Sequence, residues 1–304
     1  MPNATPGSLV AFADAAPAPL APWAPGRLLA LLRSDPAVSI AGLALLLIAV
    51  AALLAPWIAP FDPALTLDVS AGAQPPSATH WLGTDQLSRD LLSRLLYGAR
   101  ISLGISLLAV TVAVIVGTAW GAVAGYAGGW VDTLMMHVVN AGLAIPRILL
   151  LLGIVALWGG LSMSSLVLLL GLTSWFGVSR FVRAEVRATR NRDFATAARA
   201  TGGSPFRVLV RHVLPHALTP MLVAATLGVG QVIVIEAGLS FLGFGVAPPD
   251  VSWGTLIRDG RDVLGTAWWM SAFPGLALAT TVLAVNVLHD RLRSALGGQQ
   301  LHDP

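Results

Sequence analysis

The stretch FATAARATGGSPFRVLVRHVLPH, Phe194 to His216, is out of character with the chain that carries it. Of the 304 residues, 56% are hydrophobic and only 11% charged, yet here arginines, alanines and a double glycine gather together. FATAARA is rich in good helix formers, Gly202 and Gly203 supply the residues that end a helix, and Pro205 suits the first turn of another. The spacing predicts a short, small-faced helix inside a polar segment of about 35 residues, 183–217, too long for a simple turn. Small side chains let a partner's groove approach the backbone, and Arg199 supplies polar contacts at the rim. Topology-fixing arginines and attraction to anionic lipid are the plainer reading of the same composition.

Outward from that segment the chain is strongly apolar. A mean hydropathy of +0.77 excludes an ordinary soluble globule and points to an all-α, polytopic membrane protein. Crossing the hydrocarbon core takes about 20 predominantly apolar residues. Six runs qualify: Val38 to Ile58, Ile101 to Tyr126, a weaker one from Leu134 to Trp158, Leu161 to Val182, Leu218 to Phe244, and Ala267 to Leu288. Pro146 and Arg147 predict that the third is kinked or broken. Gly104, Ser106, Gly117, Gly121 and Gly125 in the second permit close helix packing.

The segments group as a flexible tail (1–36), a first span with its following loop (37–100), a core with five spans (101–293) and a short tail (294–304). Leucines at helical spacing in HWLGTDQLSRDLLSRLLYGAR, His80 to Arg100, predict an interfacial amphipathic helix leading into the second span. GVAPPDVSWGTLIRDGRDVLG, 245–265, predicts a structured loop at the same end, suited to docking. With both termini cytoplasmic, twelve arginines fall inside (27, 33, 180, 183, 187, 190, 192, 199, 207, 211, 291, 293) and five outside (89, 94, 100, 258, 261). The positive-inside rule favours that orientation.

Several activities are excluded by composition. All 18 basic residues are arginine, so the chain has neither the lysine of a Walker A phosphate loop nor one for Schiff-base catalysis. The absence of cysteine removes disulfides, thiolate nucleophiles and Cys-ligated metals. Residues 1–36 lack the charged and apolar regions of a signal peptide.

From Ala197-Ala198 through Gly202 to Leu214-Pro215, the spacing resembles the E-A-A loop of ABC importer permeases, and the likeness extends beyond it. HWLGTDQLSRDLLSRLLYGARISL, GYAGGWVDTLMM, LAIPRILLLL and EAGLSFLGFGVAPPDVSWG each resemble segments of the dipeptide, oligopeptide and nickel permeases, specifically the second permease of the pair. Together they cover most of residues 38–293 in the same order. The resemblance implies the six-span type I importer permease fold in the bacterial inner membrane, with Phe194 to Gly203 as a cytoplasmic coupling helix.

Phe194, Thr196, Ala197, Ala198, Arg199, Gly202, Gly203, Leu214 and Pro215 are then the candidate ATPase-coupling residues. The implied partners are a second, homologous permease, two ATPase subunits that bind ATP and Mg, an extracytoplasmic substrate-binding protein and the lipid bilayer. No nucleic acid, no cofactor or metal on this chain and no catalytic residue of its own are implied. The motif's glutamate is Thr196 here, so its ionic contact does not carry over. Its isoleucine position falls on His212.

Other residues invite sharper readings. His212 and His216 stand four apart, a spacing that on a continuous helix could present two metal ligands, but Pro215 intervenes and no H-E-x-x-H glutamate accompanies them. They read as surface histidines. GLSFLG, 238–243, misses G-x-S-x-G by one position, which makes Ser240 a packing or pathway residue. Glu236 lies inside the fifth span, where an ionisable group needs a partner. It either lines a passage or, the simpler account, braces helices or the neighbouring loop through a buried hydrogen bond. Asn140, with His137 and Arg147, could face a water-filled path or anchor helix ends. An ion-driven secondary transporter would need inverted repeats with paired broken helices, and an intramembrane enzyme a catalytic dyad. Neither pattern is evident.

Overall fold

The computed structural model describes residues 35–65, 71–158 and 162–297. Its elements are α1 (Pro36–Ile58), α2 (Leu91–Ala127), α3 (Gly129–Ala144), α4 (Arg147–Trp158), α5 (Met163–Thr189), α6 (Asp193–Ala200), α7 (Pro205–Val208), a π-turn (Leu209–Val213), α8 (Leu214–Phe241), α9 (Trp253–Arg261) and α10 (Trp269–Gly297). Among the described residues there is no strand, only one isolated bridge between Thr84 and Asp90. Among the described residues, five helices are long and apolar enough to cross a membrane, and α3 with α4 makes a sixth crossing if that bent pair is one span.

The start and stop of each helix follow from its ends. Asp35 accepts from the Ala37 N–H at 2.9 Å with Pro36 in the first turn of α1, and Ala59, which precedes Pro60, leaves it in extended geometry. Asp90 caps α2 by accepting from the N–H and hydroxyl of Ser93 at 2.8 and 2.7 Å, and Gly128, at φ +68°, ends it. The expected break falls between α3 and α4, which meet at 83° around Ile145 and Pro146. Proline removes a backbone donor and clashes with the preceding turn.

The separate interfacial helix expected from His80 is not formed. Residues 80–90 fold as turns, with Asp85 accepting from the N–H groups of Leu87 and Arg89, and helix begins only at Leu91, continuous with the second span. The leucine periodicity is real, but the charged face points inward. Arg94 is buried between Asp85 at 3.3 Å and Asp259 at 3.4 Å. Ion pairing with α9 thus takes the place of headgroup solvation.

Helices also run further than the apolar windows predict. The α5 helix continues past Val182 to Thr189, so arginines end the membrane span without ending the helix. Asp132 on α3 takes the Arg183 guanidinium in a two-pronged ion pair and Arg187 at 3.4 Å, while Arg190 Nη1 donates to the carbonyls of Gly125 and Tyr126, both at 2.9 Å. The polar segment proper is therefore shorter than 183–217. At the other extreme, α10 reaches into the expected tail, ending at Gly297. Residues 1–34 and 298–304 of the two tails lie outside the described residues.

The most extensive helix pair is α2 with α5, and glycines make it possible. A Cβ on Gly117 would sit 2.9 Å from the Trp175 carbonyl oxygen and one on Gly125 2.8 Å from that of Arg183, while at Gly121 it would run into the Ser179 carbonyl. Gly171 on α5 answers with a 2.9 Å approach to the Ala109 carbonyl. Without a hydrophobic driving force between helices in lipid, such approach supplies the packing energy. Gly104 takes no part, since a Cβ there meets nothing within 4 Å. Asp35 pairs with Arg291 at 3.2 Å, so the start of α1 and the last turns of α10 share an end of the bundle.

Gly121→Ala is expected to destabilise the detergent-solubilised protein by about 1–3 kcal/mol through overpacking against backbone that cannot yield. Gly104→Ala is expected to be neutral or stabilising, since alanine is the better helix former. Thermal unfolding of the two variants checks the contrast.

Candidate functional site

Two constructions, one apolar and one polar, stand at opposite ends of the bundle. At the arginine-rich end, α6 is mounted on the core by one face. Ala195 is 0% exposed and packs with Val182, Val186, Val208, Val213 and Met221, flanked by the half-buried Phe194, Ala198 and Leu214. Phe194, Ala195 and Ala198 are the i, i+1 and i+4 positions of α6, so the other face, Thr196, Ala197, Arg199 and Ala200, is left exposed.

The end of α6 is fixed by the double glycine. The Gly203 N–H returns to the Ala198 carbonyl and the Gly202 N–H to that of Arg199, both at 3.0 Å, which is the paired bond pattern of a Schellman cap. Gly202 takes φ +85°, and a Cβ on Gly203 would meet the Ala198 carbonyl oxygen at 2.6 Å. Neither position tolerates a side chain without strain. Ser204 then caps α7, its Oγ accepting from the Arg207 N–H at 3.4 Å, with Pro205 at the first position.

Pro215 does not interrupt the helix, contrary to what its place between two histidines suggests. The preceding residues widen into the π-turn, where the Leu214 N–H reaches back to the Leu209 carbonyl, and α8 carries Pro215 in its first turn. A wider turn accommodates the ring and the missing donor. His216 is exposed, and its ring lies 4.6 Å, centroid to centroid, from that of Phe194, tying the start of α8 to α6.

Of the coupling candidates, Thr196, Ala197, Arg199 and Gly202 share the exposed surface, whereas Phe194, Ala198 and Leu214 are partly buried in the mount. Arg199 donates to the Thr196 hydroxyl at 3.0 Å, so threonine in place of the motif's glutamate keeps a hydrogen bond where a carboxylate would make an ion pair. The residue that sequence reasoning missed is Phe206, 75% exposed beside α6. Its signal was available: a large aromatic side chain directly after a first-turn proline in an otherwise polar segment.

At the opposite end Glu236 is 0% exposed and accepts from Ser240 Oγ at 2.7 Å and Ser102 Oγ at 3.3 Å. Ser102 also accepts from the Trp253 N–H at 3.1 Å, and Ser252 donates to Ser240 at 3.2 Å. Ser252 and Thr255 close a capping box on α9. One carboxyl thus ties α2, α8 and the start of α9 together. A Cβ on Gly254 would fall 2.6 Å from the Ala237 Cα, so α9 lies directly on α8. The loop 245–265 is structured, as expected, with Trp253 buried beneath it. Ser240 belongs to this node, while Asn140 is exposed on α3 and is not brought near it.

Glu236→Leu is expected to cost about 1–3 kcal/mol for each hydroxyl left without its acceptor and to loosen α9. Glu236→Gln, which retains one acceptor and can donate to Ser102, is expected to keep most of the stability. Thermal unfolding and protease resistance of the 245–265 loop report both effects.

Residues 117–297 match the family model described as binding-protein-dependent transport system inner membrane component. The di/tripeptide transport system permease protein of Pseudomonas aeruginosa is 40% identical over 257 residues, 83% of this chain and 84% of its own length. The glutathione transport system permease protein of Pectobacterium atrosepticum is 37% identical over 265 residues, 87% of each chain. A methionine ABC transporter solved in inward-facing conformations aligns with a TM-score of 0.55 at 18% identity, over 67% of this chain and 96% of its own, a likeness of fold. The helical bundle, the glycine-capped surface helix and these relatives together place the chain in the family of binding-protein-dependent transport system inner-membrane components, as a multi-pass permease of an ABC importer with the type I permease fold.

Proposed function

We propose that the chain forms half of a translocation pathway for di- or oligopeptides, paired with a homologous permease and driven through α6 by separate ATPase subunits that carry ATP and Mg. The observation that carries this reading is the mounting of α6. One face is locked into the core by Ala195, its end is fixed by Gly202 and Gly203, and Thr196, Ala197, Arg199 and the neighbouring Phe206 are free for a partner. A handle must be rigidly attached and accessible, and this helix is both. Small Ala197 lets a groove close on the backbone, and the exposed Phe206 offers an aromatic side chain for a partner to bury, the type of anchor that dominates interfaces.

Peptide cargo is supported by the relatives, whose names specify di/tripeptide and glutathione transport. Nickel, the other substrate type met among permeases of this resemblance, has no comparable support. Orientation follows from charge: Arg183, Arg187, Arg190, Arg199, Arg207 and Arg211 lie at the α6 end, which the positive-inside rule makes cytoplasmic, with both termini on that side. The α9 end then faces an extracytoplasmic binding protein. ATP-driven closure of the ATPase pair draws the two coupling helices together and opens the bundle toward that protein, and hydrolysis resets it.

Ala197→Glu and Phe206→Ala are each expected to lower co-purification of the ATPase by about tenfold, within the 1–2 kcal/mol range of an interface anchor, and to reduce ATP-dependent peptide uptake in parallel without changing thermal unfolding. Peptide uptake by this chain reconstituted alone, powered by an ion gradient, would contradict the proposal.

A further inference from the structure

Between α2, α4, α5 and α8 lies a cavity of about 270 Å³ whose walls are almost wholly apolar. Three side chains break that pattern: Arg147, Ser174 and Gln231. Arg147 is the first residue of α4, directly after the 83° bend, so the break in the third span is what delivers a guanidinium to this place. Its Nη2 donates to the Leu170 carbonyl at 3.1 Å and to the Ser174 hydroxyl, and its Nε to Thr173 Oγ1 at 3.4 Å.

All of those acceptors are neutral. No carboxylate lines the cavity, and none pairs with Arg147 among the described residues, whereas Arg183, Arg187, Arg258 and Arg291 each have an aspartate. A guanidinium has five N–H donors, and the three contacts use those of Nε and Nη2, which leaves Nη1 without an acceptor among the described residues while the side chain lines the cavity. An unpaired cation among membrane helices is costly and marks a functional site by default. Gly177 opens the wall, since a Cβ there meets nothing within 4 Å.

We propose that this cavity is an anion-accepting way station in the transport path, in which Arg147, held in place by Ser174, takes the carboxylate of a peptide in transit, Gln231 offers hydrogen bonds, and the apolar walls take its side chains. The inference rests on the peptide reading above and adds to it the group recognised and the residue that recognises it. A bare divalent cation is the wrong cargo for such a lining.

The chain contains no cysteine, so Gly177→Cys places a single thiol of this subunit at the cavity wall. In the assembled complex with ATPases and second permease, labelling by a sulfonate-bearing and a trimethylammonium-bearing methanethiosulfonate is compared on the isolated band of this chain. The sulfonate reagent is expected to be favoured, and Arg147→Gln to lower the anion-to-cation rate ratio by roughly tenfold, with Arg147→Lys restoring it. A ratio indifferent to Arg147→Gln, or a thiol that neither reagent reaches, overturns the proposal.

The second arm measures ATP-dependent uptake of a dipeptide and of its C-terminal amide, each delivered on saturating loaded binding protein. Arg147→Gln is expected to slow the free-acid peptide roughly tenfold and to leave the amide unchanged. Equal effects on both overturn the assignment of the carboxylate. If the wild-type complex carries neither peptide while the labelling ratio still depends on Arg147, the peptide reading falls and the anion site stands.

Discussion

The structure depends on how closely α2 and α5 approach. Gly117, Gly121 and Gly125 on one helix and Gly171 on the other remove the side chains that would hold them apart, leaving backbone carbonyls in contact with hydrogen-bearing carbon. That seam determines more than packing. It brings Arg190 to the last carbonyls of α2 and sets Asp132 against Arg183 and Arg187. The C-terminal end of α5 is thereby fixed, and α6 follows it after only three residues.

From that point the two ends of the molecule are built by different physics. The α6 end uses apolar contact: a short helix with one buried alanine and two half-buried neighbours, closed by glycines whose backbone bonds leave no slack. The α9 end uses a buried polar node in which a single carboxyl collects hydroxyls from two helices and, through Ser102, a backbone N–H from a third. In a low-dielectric setting an orphaned member of such a node is expensive, so its partners hold together as one unit. Both ends are thus tied to the bundle, one by apolar packing and one by hydrogen bonds. The bend at Pro146 and the π-turn before Pro215 are two places where the backbone departs from regular α-helix within this framework.

Much of this was legible in the residues. Long uncharged runs located the spans, Pro146 located the broken one, and the Ala-rich stretch ended by Gly202-Gly203 located α6 together with its cap. The interior placement of Glu236 called for a hydrogen-bonding partner, and its serines supplied it. Three features were not legible, each for a physical reason. Hydropathy ends a span where charge begins, but a helix continues as long as its backbone bonds do, so α5 runs through its arginines to Thr189. The leucine spacing from His80 onward has the period of a surface helix, yet whether its charged side meets headgroups or aspartates is decided by α9, more than 150 residues away in sequence. Pro215 reads as a break because a one-residue rule does not anticipate the π-turn that accommodates it. Asn140, suggested by its polar side chain near the third span, joins neither construction.

The central claim is that α6 is the surface by which a separate ATPase moves this bundle, and placement of a single thiol on each of its faces tests it most directly. In the assembled importer, Ala197→Cys on the exposed face should cross-link to the ATPase through a short thiol-to-amine reagent, and Ala195→Cys on the buried face should not. Cross-linking of Ala197→Cys to the binding protein, or to no subunit while cysteines near α9 capture the ATPase, would contradict the account.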